Sequence, residues 1–393
     1  MKTYEFSGHA GVRNDLSLER FKREDLSIGT NIDVDDTGKI YRREGTTQVM
    51  SGSYHSLYRA FDTTLIVESG VMKRVSDTWT KTDVCPVAGE RVSYAPAYNE
   101  IFWVDGLQAG IVRGGQNRRW GMAVPAAPVV STGVGDLAAG TYLVTVVHVD
   151  YDNKESGAAE LVSVTVPDNS SLNVMLTAST DPKVRFQRVY ISALNGELPY
   201  LAAEVMNTSQ PVTFSSAPPT AIPIRTLYAG PPPAGRSVWI AHGRAWVADG
   251  NFLWYSRPYE FELFDRRNGY IGFDSPVRTF SPVADGFYIG TEKAVHWFEG
   301  LDPTTTLRRQ VASYGAVRGT ECEIPGHYFG RDEVQGVVQT IFTTHGACAC
   351  LDRGVFKNLT GSRYFPEAAS VGASLLKIRG GTPLLTTTLF KEQ

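Results

Sequence analysis

The sequence predicts an all-β fold, a β-propeller of about six blades interrupted by one inserted β-sandwich. Turn-forming and strand-forming residues are both plentiful, with 38 Gly, 21 Pro and 11% aromatic residues among 393, and such a composition is typical of many short strands. Helical periodicity is almost absent. The best helical candidate is Asn14–Asp25, where Leu16 and Leu18 do not continue at helical spacing. We therefore expect an extended arm or one short turn there.

Short strands and tight turns alternate from residue 28 onward. Asn31–Asp35 and Lys39–Arg43 flank a turn at Asp36–Gly38, where glycine suits a left-handed conformation. Two further blocks follow within Leu57–Val75 and Val92–Arg113. Each block holds three or four short strands, and the blocks recur at roughly 35–45 residues, the length of a propeller blade.

The middle of the chain has longer strands, and Pro-containing linkers flank it. Val124–Pro128 precedes it and Ala217–Pro233 follows it. The strands between fit an antiparallel sandwich of about 90 residues, like a fibronectin type III or immunoglobulin-like module. The blade pattern returns at Ser237, and we expect Leu384–Phe390 to close the ring by pairing with an N-terminal strand. The predicted domains are an N-terminal arm (1–27), a first propeller segment (28–122), the sandwich insert (123–230) and a second propeller segment (231–393).

Charge, cysteine content and hydropathy limit the class of protein. The net charge is −3 and the pI about 6.2, whereas a protein that grips a DNA duplex usually carries a basic face. A weakly charged channel wall that DNA slides past is compatible with this balance, because it makes few phosphate contacts. The four cysteines are too few and irregular for a disulfide framework, so we expect reduced thiols in a protein assembled in a cytoplasm. Neither a secretory signal nor a membrane span is expected.

No catalytic, cofactor or metal site is predicted, and the chain is not expected to be an enzyme. The seven histidines stand far apart, and no HExxH, GxSxG, Walker A or GxGxxG motif is present. Asp33 and Glu44 stand at the first and twelfth positions of a possible Ca²⁺ loop, but Lys39 occupies the seventh position, which favours a hairpin. Ser76–Thr80 is a weak match to the Asp-box of sialidase propellers, so a propeller glycoside hydrolase is a lesser alternative.

Six of the tryptophans fall in or beside predicted strands. We favour packing between blades over a sugar- or base-stacking surface for these rings. The six are Trp103, Trp120, Trp239, Trp246, Trp254 and Trp297.

Three arginine pairs are the densest basic spots outside Arg42-Arg43. Two interpretations stay open for them: solvated loop ends, or contacts with neighbouring subunits and with DNA phosphates in a channel. The pairs are Arg118 and Arg119, Arg266 and Arg267, and Arg308 and Arg309.

Four segments, in order, resemble a known family. Asn31–Gly45 (NIDVDDTGKIYRREG) resembles the opening of phage tail nozzle and packaged-DNA-stabilisation proteins, and Trp120–Pro125 (WGMAVP) resembles the phrase that precedes the insert in that family. Gly235–Ser256 is similar to the blade after the insert, and Asp285–Thr291 to a stretch of the next blade. Their order, with the insert between the third and fourth blocks, is more specific than any single phrase.

The resemblance implies a structural protein of the phage virion, assembled in the host cytoplasm. Such proteins form a ring, often a hexamer, at the distal end of the head-to-tail DNA channel, where they retain packaged DNA and open for ejection. The implied partners are further copies of the chain, other tail proteins such as the adaptor, fibres or spikes, and double-stranded DNA passing without sequence specificity. A tail-tip propeller that binds a receptor or glycan is the main alternative.

Overall fold

The computed structural model describes residues 11–34, 37–89, 91–329, 336–361, 363–366, 369–379 and 382–391. The chain forms two compact units. The first comprises Met1–Ser93, Ala248–Leu253 and Ile271–Gln393, and the second comprises Tyr94–Val247 and Trp254–Tyr270. The second unit thus contains the segment predicted as a separate insert together with chain on both sides of it.

The first unit begins with an arm and a small hairpin. The arm contains one 3-10 turn, Leu18–Arg20, as predicted. Strands β1 (Ile32–Val34) and β2 (Ile40–Arg42) pair antiparallel, which confirms the hairpin. The Arg43 guanidinium lies 2.9 Å from Asp33 Oδ1. Asp35 and Asp36, in the predicted turn, lie outside the described residues.

The first four-stranded meander is a sheet of four consecutive antiparallel strands in the order β3-β4-β5-β6. Strands β4 and β5 are joined by Ser69-Gly70, and both residues have positive φ. That is the type I′ turn that matches the twist of a hairpin. The strands are β3 (His55–Ala60), β4 (Thr63–Glu68), β5 (Val71–Val75) and β6 (Lys81–Pro86).

A second meander, β7–β10, opens the second unit, and its order β10-β9-β8-β7 leaves β10 at the edge. Tyr98-Asn99 and Gly114-Gly115 join its hairpins with the same pair of positive φ values. The strands are β7 (Ser93–Ala97), β8 (Glu100–Val104), β9 (Ala109–Arg113) and β10 (Gln116–Arg119).

The sandwich consists of a three-stranded sheet, β11-β14-β17, and a four-stranded sheet, β13-β12-β15-β16. Two hairpins, β12-β13 and β15-β16, meet through β12 and β15, which is the C′CFG arrangement of an immunoglobulin-type module. β11 and β14 take the places of strands B and E, and β17 takes that of strand D. The strands are β11 (Val129–Leu137), β12 (Gly140–Asp150), β13 (Val162–Val166), β14 (Ser170–Met175), β15 (Val184–Ser192), β16 (Pro199–Met206) and β17 (Pro211–Phe214).

After the sandwich, the chain forms a third meander, β19–β22, to which β18 and β23 add. Apolar side chains of this sheet, among them Val247 and Phe264, form one core with Phe102, Ile111 and Trp120 of the second meander. The strands are β18 (Ala229–Gly230), β19 (Ser237–Ala241), β20 (Arg244–Asp249), β21 (Phe252–Arg257), β22 (Glu260–Asp265) and β23 (Tyr270–Gly272).

Two more meanders, β24–β27 and β28–β31, belong to the first unit. Tyr288 and Trp297 of one pack with Ile341, Cys348 and Cys350 of the other. The strands are β24 (Val277–Val283), β25 (Gly286–Thr291), β26 (Val295–Glu299), β27 (Leu307–Ala312), β28 (Cys322–Pro325), β29 (Val337–Thr343), β30 (Gly346–Cys350) and β31 (Phe356–Asn358), with 3-10 turns at Gly326–Tyr328 and Asp352–Gly354.

The chain continues into a two-stranded hairpin of β32 (Val371–Arg379) and β33 (Thr382–Phe390). Within the described residues, β33 pairs with β32 and not with an N-terminal strand, so the predicted pairing of Leu384–Phe390 is not found there. The N-terminal arm instead reaches this region of the chain through Asn14, which hydrogen-bonds the backbone of Phe365.

The predicted fold class is confirmed: the protein is all-β, with blades of the propeller type and an inserted immunoglobulin-like sandwich. Five meanders lie among the described residues, against about six blades predicted. Of the six tryptophans for which packing between blades is favoured, Trp103, Trp120, Trp246 and Trp297 are buried, and Trp239 and Trp254 are partly buried. Within the described residues, helices are limited to three-residue 3-10 turns, none of which could cross a membrane.

Candidate functional site

The predicted arginine pairs lie on or beside the fourth strand of three meanders. Arg118 and Arg119 are on β10, Arg308 and Arg309 are on β27, and Arg266 and Arg267 follow β22 directly. β10 and β27 are edge strands. Charged side chains on an edge strand oppose pairing with the backbone of another chain. Protection of the sheet edge therefore explains the pairs on β10 and β27, besides the two interpretations drawn from the sequence.

Arg118 and Arg119 point to opposite faces of β10. Arg118 Nη1 donates to Glu262 Oε1 at 2.7 Å, and Nη2 donates to both carboxylate oxygens of Glu100 at 3.0 Å. Burial lowers the pKa of Arg118, but its interactions with Glu262 and Glu100 outweigh burial and raise the pKa overall. Arg119 is exposed and makes no ion pair with the described residues. Of this pair, Arg119 is the side chain that another molecule can reach.

Arg266 and Arg267 are both exposed and lie over aromatic rings. The guanidinium carbon of Arg266 is 5.9 Å from the ring centroid of Trp254, and that of Arg267 is 5.0 Å from the centroid of Tyr228. Asp265 Oδ1 accepts hydrogen bonds from the backbone N–H groups of Arg267 and Asn268 and fixes the turn. The rings position the two cations while leaving them open to solvent.

In the first unit, Arg308 packs over Phe273, with 4.5 Å between the guanidinium carbon and the ring centroid. Its Nη1 donates to Gly272 O at 3.2 Å, and its Nη2 lies 3.1 Å from His296 Nε2. Because a guanidinium only donates, His296 Nε2 is the acceptor, and the ring is neutral with its proton on Nδ1. Arg309 points to the opposite face, where it contacts Gly354 O at 3.4 Å.

His296 predicts a measurable pH dependence of stability. Burial first, and then the charge of Arg308, lower its pKa from 6.5 to about 4, although Asp274 opposes the shift. Below pH 6.5 the unfolded chain binds a proton that the folded chain does not, so the free energy of unfolding falls as the pH is lowered towards about 4. We expect His296 to account for at most about 3 kcal/mol of this loss.

The measurement is denaturant unfolding of the wild type and His296→Gln between pH 4 and 8. Carboxylates titrate equally in both proteins, so the difference between the two curves isolates His296. An identical pH slope in the two proteins would contradict a neutral, buried His296.

A cleft of about 720 Å³ lies within the second unit. Side chains of the sandwich form one wall, with Glu155, Arg188 and Tyr190 among them, and Tyr98 and Tyr259 of the neighbouring meanders lie on the other. Tyr98 is 73% exposed and Tyr259 is 77% exposed, and the Tyr98 ring stacks on Phe261 with centroids 5.6 Å apart. The cleft therefore offers open aromatic faces opposite a polar wall.

Arg188 is the centre of the polar wall. Its Nη1 donates to Glu155 Oε1 at 2.8 Å, and its Nε donates to Glu204 Oε2 at 2.7 Å. Tyr190 Oη donates to the same Glu155 oxygen at 2.5 Å, and Thr226 Oγ1 donates to the other at 3.3 Å. Burial, followed by the hydrogen bond to Glu155, raises the pKa of Tyr190, which keeps the phenol protonated as a donor.

The sequence interpretation missed this network. The sequence signal for the network is Arg188, which directly precedes the apolar run Val189-Tyr190-Ile191 of β15, since a cation beside such a run is expected to have a carboxylate partner. Among the described residues, no group of three His, Cys, Asp or Glu side chains is arranged to hold a metal ion.

No family model and no curated protein matches the sequence. Among solved structures, the chain is similar to BBS1N in complex with ARL6DN, at 13% identity and a TM-score of 0.34, over 86% of this chain and 92% of that one. It is also similar to apo AztD from Citrobacter koseri, at 13% identity and a TM-score of 0.25, over 89% of this chain and 91% of that one. The AfRom2 CNH domain gives 6% identity and a TM-score of 0.26 over 80% and 91%. The fold assignment rests on the sheets themselves, because TM-scores this low do not carry it.

Proposed function

We propose that this chain is a non-catalytic structural subunit of a phage tail. Copies of it form the nozzle or hub ring at the distal end of the head-to-tail DNA channel, which retains packaged DNA and opens for ejection. The observation that carries the proposal is the ordered resemblance, in which the phrases Trp120–Pro125 and Gly235–Ser256 flank the sandwich.

The residues of the first phrase support this proposal because they occupy the point where the chain leaves a meander and enters the sandwich. Trp120 Nε1 donates to Phe261 O at 2.8 Å. Gly121 has φ +80°, and a β-carbon there would lie 2.8 Å from Glu262 O and 3.1 Å from Pro231. Only glycine fits this close approach at positive φ. The phrase thus corresponds to an architectural requirement and not to a variable surface.

The exposed arginines give the ring a way to contact other molecules. Arg119, Arg267 and Arg309 each lie on or beside a fourth strand and are exposed. A few such cations on a chain of net charge −3 would meet acidic neighbours, or touch phosphates weakly enough for DNA to slide. The partners of the proposal are other copies of the chain, the adaptor, fibres or spikes, and non-specific duplex DNA.

The test is the mass and shape of the purified full chain, measured by native mass spectrometry and negative-stain imaging. We expect rings of about six copies with an axial opening, as the family resemblance implies. Arg119→Glu should weaken ring formation, and Arg113→Glu, at an exposed position on the inner strand β9, is the matched control. A chain that stays monomeric and is absent from purified tails would overturn the proposal.

A further inference from the structure

We propose that β33 pairs edge to edge with β33 of a second copy of this chain. Nine residue pairs, from Val371 opposite Phe390 to Arg379 opposite Thr382, join β33 to β32 in a two-stranded sheet. A hairpin of two strands is marginal by itself in water. The three described meanders of the first unit have four strands each, whereas this hairpin has two strands of nine residues. A sheet of such long strands would be stabilised by further strands.

The outer edge of β33 can be read from the register. Gly372 N donates to Arg318 O at 2.8 Å, so the polar groups of Gly372 point away from β33. Leu389, directly opposite, therefore also points its N–H and C=O outward, and so do Thr387 and Leu385 at alternate positions. Pro383 continues the series, at an outward position where a missing N–H disrupts no ladder.

These outward groups have no partner among the described residues. Leu385, Thr387 and Leu389 make no backbone hydrogen bond outside the hairpin. The corresponding edge of β32, in contrast, is covered: it contacts Arg318 through Gly372 and lies beside β28. With respect to the described part of the chain, the open edge of the hairpin is thus the β33 side.

β33 also lacks the charges that the last strands of four meanders of this protein carry. The edge strands β6, β10, β27 and β31 carry charged residues (Lys81 and Asp83, Arg118 and Arg119, Arg308 and Arg309, and Lys357). Thr382–Phe390 contains none. Other described edge strands without charge, β7, β13, β17, β18 and β19, are only two to five residues long, whereas β33 has nine residues. Leu375, Ile378 and Phe390 of the hairpin are exposed. A long, uncharged edge with apolar neighbours is a template for strand addition.

The sequence of β33 identifies its partner as a second copy. Leu384-Leu385-Thr386-Thr387-Thr388-Leu389-Phe390 has the same order of residue classes in both directions from Thr387. In an antiparallel two-fold pairing, Thr387 faces Thr387 of the second copy, and Leu385 faces its Leu389. All outward N–H and C=O groups between residues 385 and 389 are then paired. The product is a four-stranded sheet across the two-fold axis.

This inference does not rest on the proposed ring. A two-fold, isologous contact closes on two chains, whereas a ring repeats a heterologous contact. The β33 pairing therefore joins two free chains or two rings, and each assembly can exist without the other.

The experiment uses Thr387→Lys and Thr387→Glu in the full chain. Each variant alone places like charges directly opposite across the axis, which opposes pairing. We expect the wild type to associate in pairs, and each variant alone to have half the wild-type mass by sedimentation or light scattering. An equimolar mixture should recover the wild-type mass, because Lys then faces Glu. Thr388→Lys is the control, since residue 388 faces residue 386 of the second copy and not itself. Circular dichroism of each variant checks that it is folded.

Recovery in the mixture, with an unaffected control, would support the pairing. A wild type that is monomeric, or whose mass neither Thr387 variant changes, would overturn it, as would variants that dissociate but do not recover on mixing. If the wild type is a single ring of about six copies and Thr387→Lys has the same mass, the proposed function stands and the β33 contact is excluded. A wild-type dimer that dissociates in the Thr387 variants but never forms a ring would support the β33 contact and overturn the proposed ring.

Discussion

Replacing Trp120 with alanine is expected to destabilise the second unit by about 3–5 kcal/mol, the range measured for truncating a buried aromatic side chain. Trp120 is 1% exposed. Its ring packs edge-on against Phe102 and Phe264, with centroids 5.1 and 6.1 Å away. The alanine variant loses these contacts, leaves a cavity between two meanders, and leaves Phe261 O without the indole N–H. Denaturant unfolding followed by circular dichroism measures the loss.

Trp120→Phe separates the two contributions. It keeps most of the ring contact but removes the N–H donor, so we expect a cost of about 1–3 kcal/mol, the penalty for an unsatisfied buried acceptor. Trp79→Phe is the matched control, because Trp79 is half exposed in a turn, and its cost should stay within about 0.5 kcal/mol. If Trp120→Ala cost no more than the control, Trp120 would not hold the two meanders together.

The local elements of the fold could be predicted because turns and strands depend on neighbouring residues. Ser69-Gly70 and His242-Gly243 were predicted as turns, and both residues of each have positive φ. The sandwich was recognised by its longer strands and flanking prolines. These features act over a few residues, so a single sequence contains them.

The pairing of distant segments could not be predicted in the same way. The apolar residues of Leu384–Phe390 predict a strand, but any exposed strand edge could receive it, and the choice of β32 depends on a tight local hairpin. The roles of the arginines are similar. Arg118 and Arg119 are adjacent in sequence, yet one is engaged by Glu100 and Glu262 and the other is exposed. Their separation depends on which face of β10 packs against the rest of the unit.

The same limit explains why the cleft was missed. Glu155, Arg188 and Thr226 come from three separate regions of the second unit, and only the fold brings them together. Nothing in the spacing of these residues indicates a common site. Arg188, the partly buried cation of β15, is the local clue, and it indicates that a carboxylate partner exists without saying which.

Replacing Arg188 with methionine is expected to cost about 3 kcal/mol, near the lower end of the range for breaking a buried ion pair. The side chains of Arg188 and Glu155 are 16% and 13% exposed, so solvent screens the pair to some extent. Methionine keeps the stem of Arg188 but leaves Glu155 with only the neutral donors Tyr190 and Thr226. Most of the cost is the unpaired charge of Glu155, not the lost packing of Arg188.

The double variant Arg188→Met with Glu155→Gln tests that explanation. Removing both charges should recover most of the lost stability, because the desolvation cost of the unpaired carboxylate disappears with it. Arg185→Met, at an exposed position on the same strand, controls for the loss of an arginine as such and should cost less than about 1 kcal/mol. A double variant no more stable than Arg188→Met would place the cost in packing instead. With recovery, the ion pair of Arg188 and Glu155 fixes the sandwich wall of the cleft because neither charge is tolerated there without the other.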